Sequence, residues 1–223
     1  MTFQVEFQVV VLAAGKGSRM SEITTGKPKC LLPVGPKPLV WYPLYKLQCS
    51  GFSDVILVVL ETQKAEIQNV LEKTDLEIKI DYVSINDNED LGTADTLRLL
   101  SDKLKSDVLV LSCDIVSDVN LKGVLDVFRT HDASLACLLL HPPPNETIVV
   151  PGPKSKHKPE RDLIGIDEQT NRLVFLASAS DFESELSLPT SLLRKHTSIK
   201  IHSNLVDTHV YHSKKLDYQV LKE

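Results

Sequence analysis

The chain has 223 residues, of which 42% are hydrophobic and 25% are charged, and its net charge at pH 7 is −5. This composition predicts an ordinary globular domain whose core needs no disulfide or metal to stabilise it. Because the overall charge is mildly acidic, the chain has no global field that would attract nucleic acid or an anionic membrane.

Other features exclude the secreted, membrane and disulfide-scaffold classes. The longest apolar runs, such as residues 9–14, are far shorter than the ~20 residues needed to span a bilayer. The opening residues, MTFQVEF, lack the basic segment of a signal peptide. No CxxC or metal-ligand spacing occurs among the four cysteines, so we expect reduced thiols in a cytosolic protein. These cysteines are Cys30, Cys49, Cys113 and Cys137.

Apolar segments and helical patterns alternate along the first 140 residues. Near-continuous apolar runs predict buried strands, with one half-buried strand among them; the segments are Phe7–Ala14, Val55–Leu60, Glu77–Ser84, Val108–Ser112 and Ser134–Leu140. Apolar residues at helical spacing predict helices between them; these are Pro38–Ser50, Gln63–Lys73, Thr93–Leu104 and Asn120–Phe128. Such alternation predicts βαβ units and a doubly wound α/β sheet.

The pattern changes after residue 140. Residues 141–161 hold six of the twelve prolines and several basic residues. They predict a loop, either a solvated surface excursion or a basic segment that binds a partner. Short strands are then predicted at Leu163–Asp167, Leu173–Ala177, Ile199–His202 and Leu205–Tyr211, and residues 181–185 predict an acidic turn or helix start.

The most informative segment is LAAGKGSRM, which directly follows the first predicted strand. Its glycines, Gly15 and Gly17, allow the backbone to pass close to a ligand, where exposed N–H groups can hold phosphate oxygens. The pattern is neither a Walker A loop nor the GxGxxG dinucleotide motif. Residues 15–37 carry five Lys and Arg against the single acid Glu22. This basic segment favours either an anionic ligand or docking to an acidic protein partner, and charge alone leaves both open.

Asp114 follows another predicted buried strand, in the segment VLVLSCD. A carboxylate there needs solvent, a partner or a metal, so it either holds Mg²⁺ between phosphates or caps the next turn. Gly92, in LGTADTL, opens a predicted helix and permits close approach to a base. His209 and His212 form an HxxH, but three residues apart on a strand they point to opposite faces, so we expect no metal site there.

The segments LAAGKGSRM, KPKCLLPVGPKPL, LGTADTL and VLVLSCD, in this order, resemble the sugar-phosphate nucleotidyltransferase family. The resemblance implies a Rossmann-like nucleotidyltransferase fold, α/β with a mixed, mostly parallel sheet flanked by helices, which binds a nucleoside triphosphate and a sugar-1-phosphate. It also implies that Lys29 neutralises the transition state and that Asp114 holds Mg²⁺ when a nucleotide binds. The implied nucleotide-binding residues are Ala14, Gly15, Gly17, Ser18, Arg19, Lys29, Gly92 and Asp114.

The chain departs from the family pattern at several site positions. Glu22 brings an acid near the phosphates, Asp95 replaces a small residue, and Cys113 stands where the family has glycine before the metal-binding aspartate. The sugar-side Gly-x-Tyr strand corresponds to residues 206–211, without its glycine. Because each change adds bulk or negative charge to a site for a polyanion, we expect no efficient catalysis.

These departures, with the segments KPKCLLPVGPKPLVWYPL, VLVLSCDIVSDV, RDLIGID and LVDTHVY, closely resemble the gamma subunits of eukaryotic translation initiation factor 2B. The resemblance implies a non-catalytic scaffold and regulatory subunit of the guanine-nucleotide exchange factor that acts on the GTPase initiation factor 2. Its implied partners are the epsilon subunit, which carries the exchange activity, the other subunits and initiation factor 2. No cofactor is required, and weak self-association of the isolated domain is a further expectation.

On this resemblance, residues 1–223 form one nucleotidyltransferase-like domain, and a left-handed β-helix is expected beyond the chain. Two alternatives stay open. One is an active sugar-1-phosphate nucleotidyltransferase of the guanylyltransferase type that uses Mg²⁺. The other is a vestigial pocket that still binds a nucleotide as a regulator.

Overall fold

The computed structural model describes residues 6–15, 17, 21–24, 26–87, 91–141, 162–177 and 185–215. The chain divides into two compact units, a first unit of Met1–Leu138 with His209–Glu223 and a second unit of Leu139–Thr208. One domain over residues 1–223 therefore stays a prediction. Most of the proline-rich segment 141–161 and of the acidic segment 181–185 lies outside the described residues.

Helices and strands alternate along the described chain. The strands are β1 (Phe7–Leu12), β2 (Pro33–Val34), β3 (Lys37–Pro38), β4 (Asp54–Leu60), β5 (Lys79–Ile85), β6 (Asp107–Ser112), β7 (Leu135–Leu140), β8 (Leu163–Asp167), β9 (Leu173–Ala177), β10 (Ile199–His202) and β11 (Val206–Ser213). The helices are α1 (Ser21–Thr24), α2 (Trp41–Cys49), α3 (Lys64–Leu71), α4 (Thr93–Leu99), α5 (Leu121–Thr130) and α6 (Thr190–Lys195). No helix in this part of the chain is long and apolar enough to cross a membrane.

A six-stranded sheet has the order β5-β4-β1-β6-β11-β7. Strand β1 pairs in parallel with β4 on one side and β6 on the other, and β4 pairs in parallel with β5. Strand β11 enters next to β6 and runs antiparallel to it. The predicted mixed, mostly parallel α/β sheet is thus confirmed.

Residues of β1 pack alternately into two cores, one on each face of the sheet. Val9 and Val11 lie in a core with Leu44 of α2 and Leu125 of α5. Val10 lies in the other core with Leu97 of α4. Because successive side chains of a strand point to opposite faces, burial on both faces explains the near-continuous apolar run. Each fully buried Val or Leu contributes ~1.5–3 kcal/mol of hydrophobic stabilisation.

Some predicted boundaries differ from the structure. Helix α2 begins at Trp41 rather than at Pro38, because Lys37–Pro38 pairs with Pro33–Val34 as a short antiparallel ribbon. Helix α4 ends at Leu99 rather than at residue 104. Leu100 and Leu104 are still buried, since turns after α4 continue the helical spacing.

The second unit contains a three-stranded antiparallel sheet of order β10-β8-β9. Gly165 of β8 lies directly against the ring of Phe175 on β9. A Cβ atom at this position would lie 2.1 Å from Cε1 of that ring. Glycine is therefore needed here for close packing.

His212 of β11 is completely buried between two phenylalanine rings. Its ring centroid lies 4.5 Å from that of Phe7 and 3.7 Å from that of Phe128. Within the described chain, neither ring nitrogen has a hydrogen-bond partner. Burial lowers the pKa of His212 to about 4. The nearby charges of Asp107 and Glu6 oppose this change, and that of Arg129, which pairs with Glu6, adds to it.

We expect His212 to make the folded protein less stable at mildly acidic pH. The histidine of the unfolded chain has a pKa near 6.5 and takes up a proton first, because the folded pKa is lower. This destabilisation of the folded protein is absent above pH ~6.5 and grows to about 3 kcal/mol as the pH falls to ~4. Urea unfolding of wild type and of His212→Leu over this pH range measures the loss of stability. The free energy of unfolding should depend less on pH in the variant than in wild type.

The exposed His131 supplies the control, because His131→Gln should leave the pH dependence of the wild type unchanged. Parallel stability curves for wild type and His212→Leu would contradict the assignment.

Candidate functional site

The ends of three neighbouring strands form the edge of the sheet where the candidate site lies. Leu12 pairs with Ser112 in register. The amide of Ala13 donates to the carbonyl of Val58 at 2.8 Å, and that of Cys113 donates to the carbonyl of Leu12 at 3.0 Å. The loop after β1 and the residue Asp114 therefore leave the sheet together, at the edge where open α/β sheets bind ligands.

Gly17, which lies in the segment after β1, has a backbone conformation and close neighbours that require glycine. Its φ of +66° lies in the left-handed region, which glycine adopts without steric cost. A Cβ atom here would lie 2.9 Å from Cγ2 of Thr24 and 3.4 Å from Cβ of Lys29. Both the turn and the close packing therefore require glycine.

Lys29 and Asp114 form an ion pair at this edge, although they are 85 residues apart in the chain. Nζ of Lys29, at the start of a 3-10 turn (Lys29–Leu31), donates to Oδ2 of Asp114 at 2.5 Å. The other carboxylate oxygen, Oδ1, accepts a hydrogen bond from the hydroxyl of Ser112. Burial alone would raise the pKa of Asp114, but the hydrogen bonds and the charge of Lys29 lower it below its usual value.

The structure brings together some of the predicted site residues. Ala14 packs against one core and Gly15 is exposed, and both follow β1 at the same edge as Lys29 and Asp114. Gly92 caps α4, and in the described chain no hydrogen bond or ion pair joins it to Lys29 or Asp114. Ser18 and Arg19 lie outside the described residues. The nucleotide-binding role of all these residues stays a prediction.

The basic segment 15–37 is less available to an anion than its charge indicates. Lys29 is paired with Asp114, and Lys37 pairs with Asp75 at 2.5 Å while its ammonium lies 4.9 Å from the centroid of the Trp41 ring. Lys27 is exposed to solvent. Sequence reasoning missed Asp75, because no local pattern marks a partner 38 residues away. It also missed Ser112, for which the Ser-x-Asp spacing at the strand end is a usable signal.

Two of the departures from the family pattern have a different effect from the one expected. Cys113 does not intrude into the site, because its side chain is buried in the core together with Cys30. Burial raises the pKa of Cys30 to about 12 and raises that of Cys113 as well, so both thiols stay protonated. The added charge of Asp95 is paired with Arg98, three residues along α4.

The strand that lacks the family's glycine keeps a glycine-like backbone at one position. His209 has a φ of +56° within β11, in the left-handed region that is costly for a side chain. It lies two residues before Tyr211, as the glycine does in the Gly-x-Tyr pattern, and its Nδ1 lies 3.2 Å from the hydroxyl of that tyrosine. His209 is exposed whereas His212 is buried, so the two imidazoles have different surroundings.

The family resemblance implies a divalent cation here, and the described donors do not fit one. Mg²⁺ requires oxygen ligands, usually one or two carboxylates with phosphates and water. Both oxygens of Asp114 already accept hydrogen bonds, from Ser112 and Lys29. Within the described residues, no group of three or more His, Cys, Asp or Glu residues could hold a metal. Binding of Mg²⁺ by Asp114 together with a nucleotide stays a prediction. It would require the ion pair between Lys29 and Asp114 to open first.

Comparison with known proteins gives the class of protein. The model of the nucleotidyl transferase family matches residues 8–147, more than half of the chain, and the chain belongs to this family. It is similar to the translation initiation factor eIF2B subunit gamma of Caenorhabditis elegans, with 36% identity over 92% of this chain and 51% of that protein. The gamma subunit of Schizosaccharomyces pombe is 34% identical over 93% of this chain and 45% of its own length. The resemblance to gamma subunits indicated by the motifs is thus confirmed.

The fold itself is shared with a CTP transferase of known structure. The structure of the inositol-1-phosphate CTP transferase from T. maritima aligns with a TM-score of 0.62 and 19% identity, covering 96% of this chain and 73% of that one. This likeness concerns the fold alone, and it confirms the predicted nucleotidyltransferase fold. The chain spans about half the length of the curated relatives described above.

We expect Lys29→Gln to raise the pKa of Asp114. The ammonium and its hydrogen bond stabilise the carboxylate, and without them only the hydrogen bonds from Ser112 and from the Asp114 backbone oppose the effect of burial. Carbon-detected NMR titration of the Asp114 carboxyl measures the change.

Lys27→Gln removes an exposed charge two residues earlier and should leave the Asp114 pKa unchanged. An equal pKa in wild type and Lys29→Gln would show that the ion pair does not form in solution.

Proposed function

We propose that this chain is the amino-terminal, nucleotidyltransferase-like part of a gamma subunit of the exchange factor eIF2B. In this role it acts as a non-catalytic scaffold and regulatory subunit in translation initiation, in the cytosol. Its principal partner is the epsilon subunit, which carries the exchange activity. The other subunits and the GTPase initiation factor 2 are further partners, and a β-helix beyond residue 223 completes the subunit.

The observation that carries this proposal is similarity to gamma subunits over more than nine-tenths of the chain. The similarity includes the regions outside the family match at residues 8–147, where β8 to β11 lie. A chain that shared only residues 8–147 with those subunits would not align over this range.

The geometry of the candidate site supports a non-catalytic role. Lys29 and Asp114 neutralise each other, and a catalyst would need the lysine directed at a phosphate and the aspartate at a cation. The side chain of Lys29 is 22% exposed and that of Asp114 is 33% exposed, so opening this largely buried pair costs the favourable hydrogen bonds to Asp114. Glu22 is an exposed acid in α1, the helix in which the hydroxyl of Thr24 donates to the carbonyl of Gly17 at 3.5 Å.

A scaffold subunit should bind the epsilon subunit directly. We expect tagged protein to recover the epsilon subunit from eukaryotic cytosol, and the purified pair to release GDP from initiation factor 2. Because the proposed role does not use the candidate site chemically, Asp114→Asn should change the rate of GDP release by less than about twofold. Mass spectrometry of the captured proteins and a fluorescent-GDP release assay measure the two results.

Arg194→Gln, an exposed surface change, is the matched control for handling and folding. Loss of GDP release in Asp114→Asn alone, with the complex intact, would contradict a non-catalytic site.

One observation favours a second candidate function, a retained nucleotide site. The left-handed turn at Gly17, Lys29 and Asp114 all lie at one sheet edge, as a family enzyme requires. The alternatives are therefore an active sugar-1-phosphate nucleotidyltransferase and a pocket that binds a nucleotide as a regulator.

Calorimetry with GTP, ATP, UTP and CTP, with and without Mg²⁺, separates these cases. We expect no pyrophosphate release with any of the four nucleotides and mannose-1-phosphate or glucose-1-phosphate. Mg²⁺-dependent release that disappears in Asp114→Asn would establish the enzyme. Binding that weakens in Lys29→Gln without turnover would instead establish the regulatory pocket.

A further inference from the structure

An open, solvent-facing cavity of about 420 Å³ lies within the second unit, and its lining combines apolar side chains with the ammonium of Lys195. The polar residues in the lining are Ser191, Lys195 and His196, and the apolar ones are Leu173, Val174, Pro189 and Leu192. This volume is within the usual range for small-molecule sites, which are mostly apolar with a few polar groups that fix orientation.

One carboxylate is placed so that it orients His196. Asp167 ends strand β8, and its side chain is only 8% exposed. Its Oδ1 accepts hydrogen bonds from the amides of Gln169 at 2.8 Å and Thr170 at 3.1 Å. Its Oδ2 lies 2.6 Å from Nδ1 of His196. Both oxygens of the carboxylate are therefore used, and the imidazole is held from one side.

This arrangement determines which ring nitrogen is available. The hydrogen bond from His196, with the two backbone donors, lowers the pKa of Asp167 to about 2, so the carboxylate is ionised at neutral pH. An ionised carboxylate accepts only, so Nδ1 of His196 must carry the proton. In the described part of the chain, Nε2 makes no hydrogen bond. It is thus the ring nitrogen left for a ligand.

The charges of the lining favour an anion. Lys195 contributes an ammonium to the lining, and both oxygens of the Asp167 carboxylate already accept hydrogen bonds from the turn and from Nδ1 of His196. The hydroxyl of Ser191 can donate to the same ligand. Phosphate and carboxylate groups are the anions that such donors bind with charge-assisted hydrogen bonds.

We propose that this cavity is a binding site for a small phosphate- or carboxylate-bearing molecule with an apolar body. Lys195 and Nε2 of His196 hold the anionic group, Asp167 positions the imidazole, and the apolar body packs on Leu192 and Val174. The site is independent of the exchange-factor role and of the sheet edge at Lys29 and Asp114.

The test uses phenyl phosphate and benzoate as probes and benzyl alcohol as the neutral control, with the whole 223-residue protein. Ligand-observed NMR gives the affinities, and ¹⁵N spectra of the imidazoles report on Nε2 of His196. We expect the anionic probes to bind and to shift the His196 resonance, and benzyl alcohol not to bind. Binding of phenyl phosphate alone or benzoate alone would assign the natural anion as phosphate or carboxylate.

Variants separate a ligand site from a purely structural pair. Lys195→Gln and His196→Gln should each weaken binding about tenfold, since each removes a side chain that contacts the anionic group. Leu192→Trp should fill the cavity and prevent binding with all charges in place. Lys200→Gln, an exposed cation on β10, is the matched charge control and should change affinity less than twofold.

Two results would overturn the proposal. One is no binding of either anionic probe to wild type at about 10 mM, a concentration at which even weak specific sites fill. The other is binding that both Lys195→Gln and His196→Gln leave unchanged while thermal unfolding shows a folded protein. If His196→Gln lowers the unfolding temperature, Lys195→Gln decides, because Lys195 makes no contact with Asp167 in the described structure.

Discussion

The position of β1 between β4 and β6 determines where the candidate site of the first unit lies. This strand is hydrogen-bonded on one side to β4 and on the other to β6, and Val9, Val10 and Val11 alternate between two cores. A shift in register by one residue would exchange the side chains of the two faces, so packing on both sides fixes the register. With the register fixed, the residues after Leu12 and after Ser112 must leave the sheet at the same level.

This constraint brings the glycine turn and Asp114 together, but it does not decide the chemistry. Lys29 reaches the same edge through a short 3-10 turn whose neighbours, Cys30 and Leu31, are buried. These buried neighbours therefore fix the backbone of Lys29 in place. Its long side chain can still reach either an anion at this edge or the nearest carboxylate. In the structure it contacts the carboxylate at 2.5 Å. The charges at this edge of the sheet thus satisfy each other within the described residues.

Sequence reasoning could predict the parts of the fold that depend on local pattern. The buried strands and the helices between them follow from apolar spacing, because a parallel sheet covered on both faces needs continuous apolar runs. It could not place β11 beside β6, since the partner of that strand lies about a hundred residues earlier in the chain. It also could not give the direction of the Cys113 side chain. That direction follows from the pleat, which turns Cys113 to the same core as Leu109 and Leu111.

At the candidate site the same limit applies to charge. Composition correctly marks residues 15–37 as basic, but Lys29 and Lys37 find their acids at Asp114 and Asp75, far away in the chain. The summed charge of a segment therefore indicates its electrostatic potential only when the partners of its charged residues are known.

The contacts of Asp114 with Lys29 and of Asp167 with His196 show how burial changes the role of a carboxylate. Asp114 is one-third exposed and is held by two side chains, so solvent reaches its carboxylate. Asp167 is almost fully buried and is held in part by the backbone amides of its own turn. Displacing His196 would leave that carboxylate buried with an unsatisfied oxygen, which is costly. The Lys29–Asp114 pair is therefore the easier of the two to open, whereas Asp167 and its turn hold the imidazole of His196 in place.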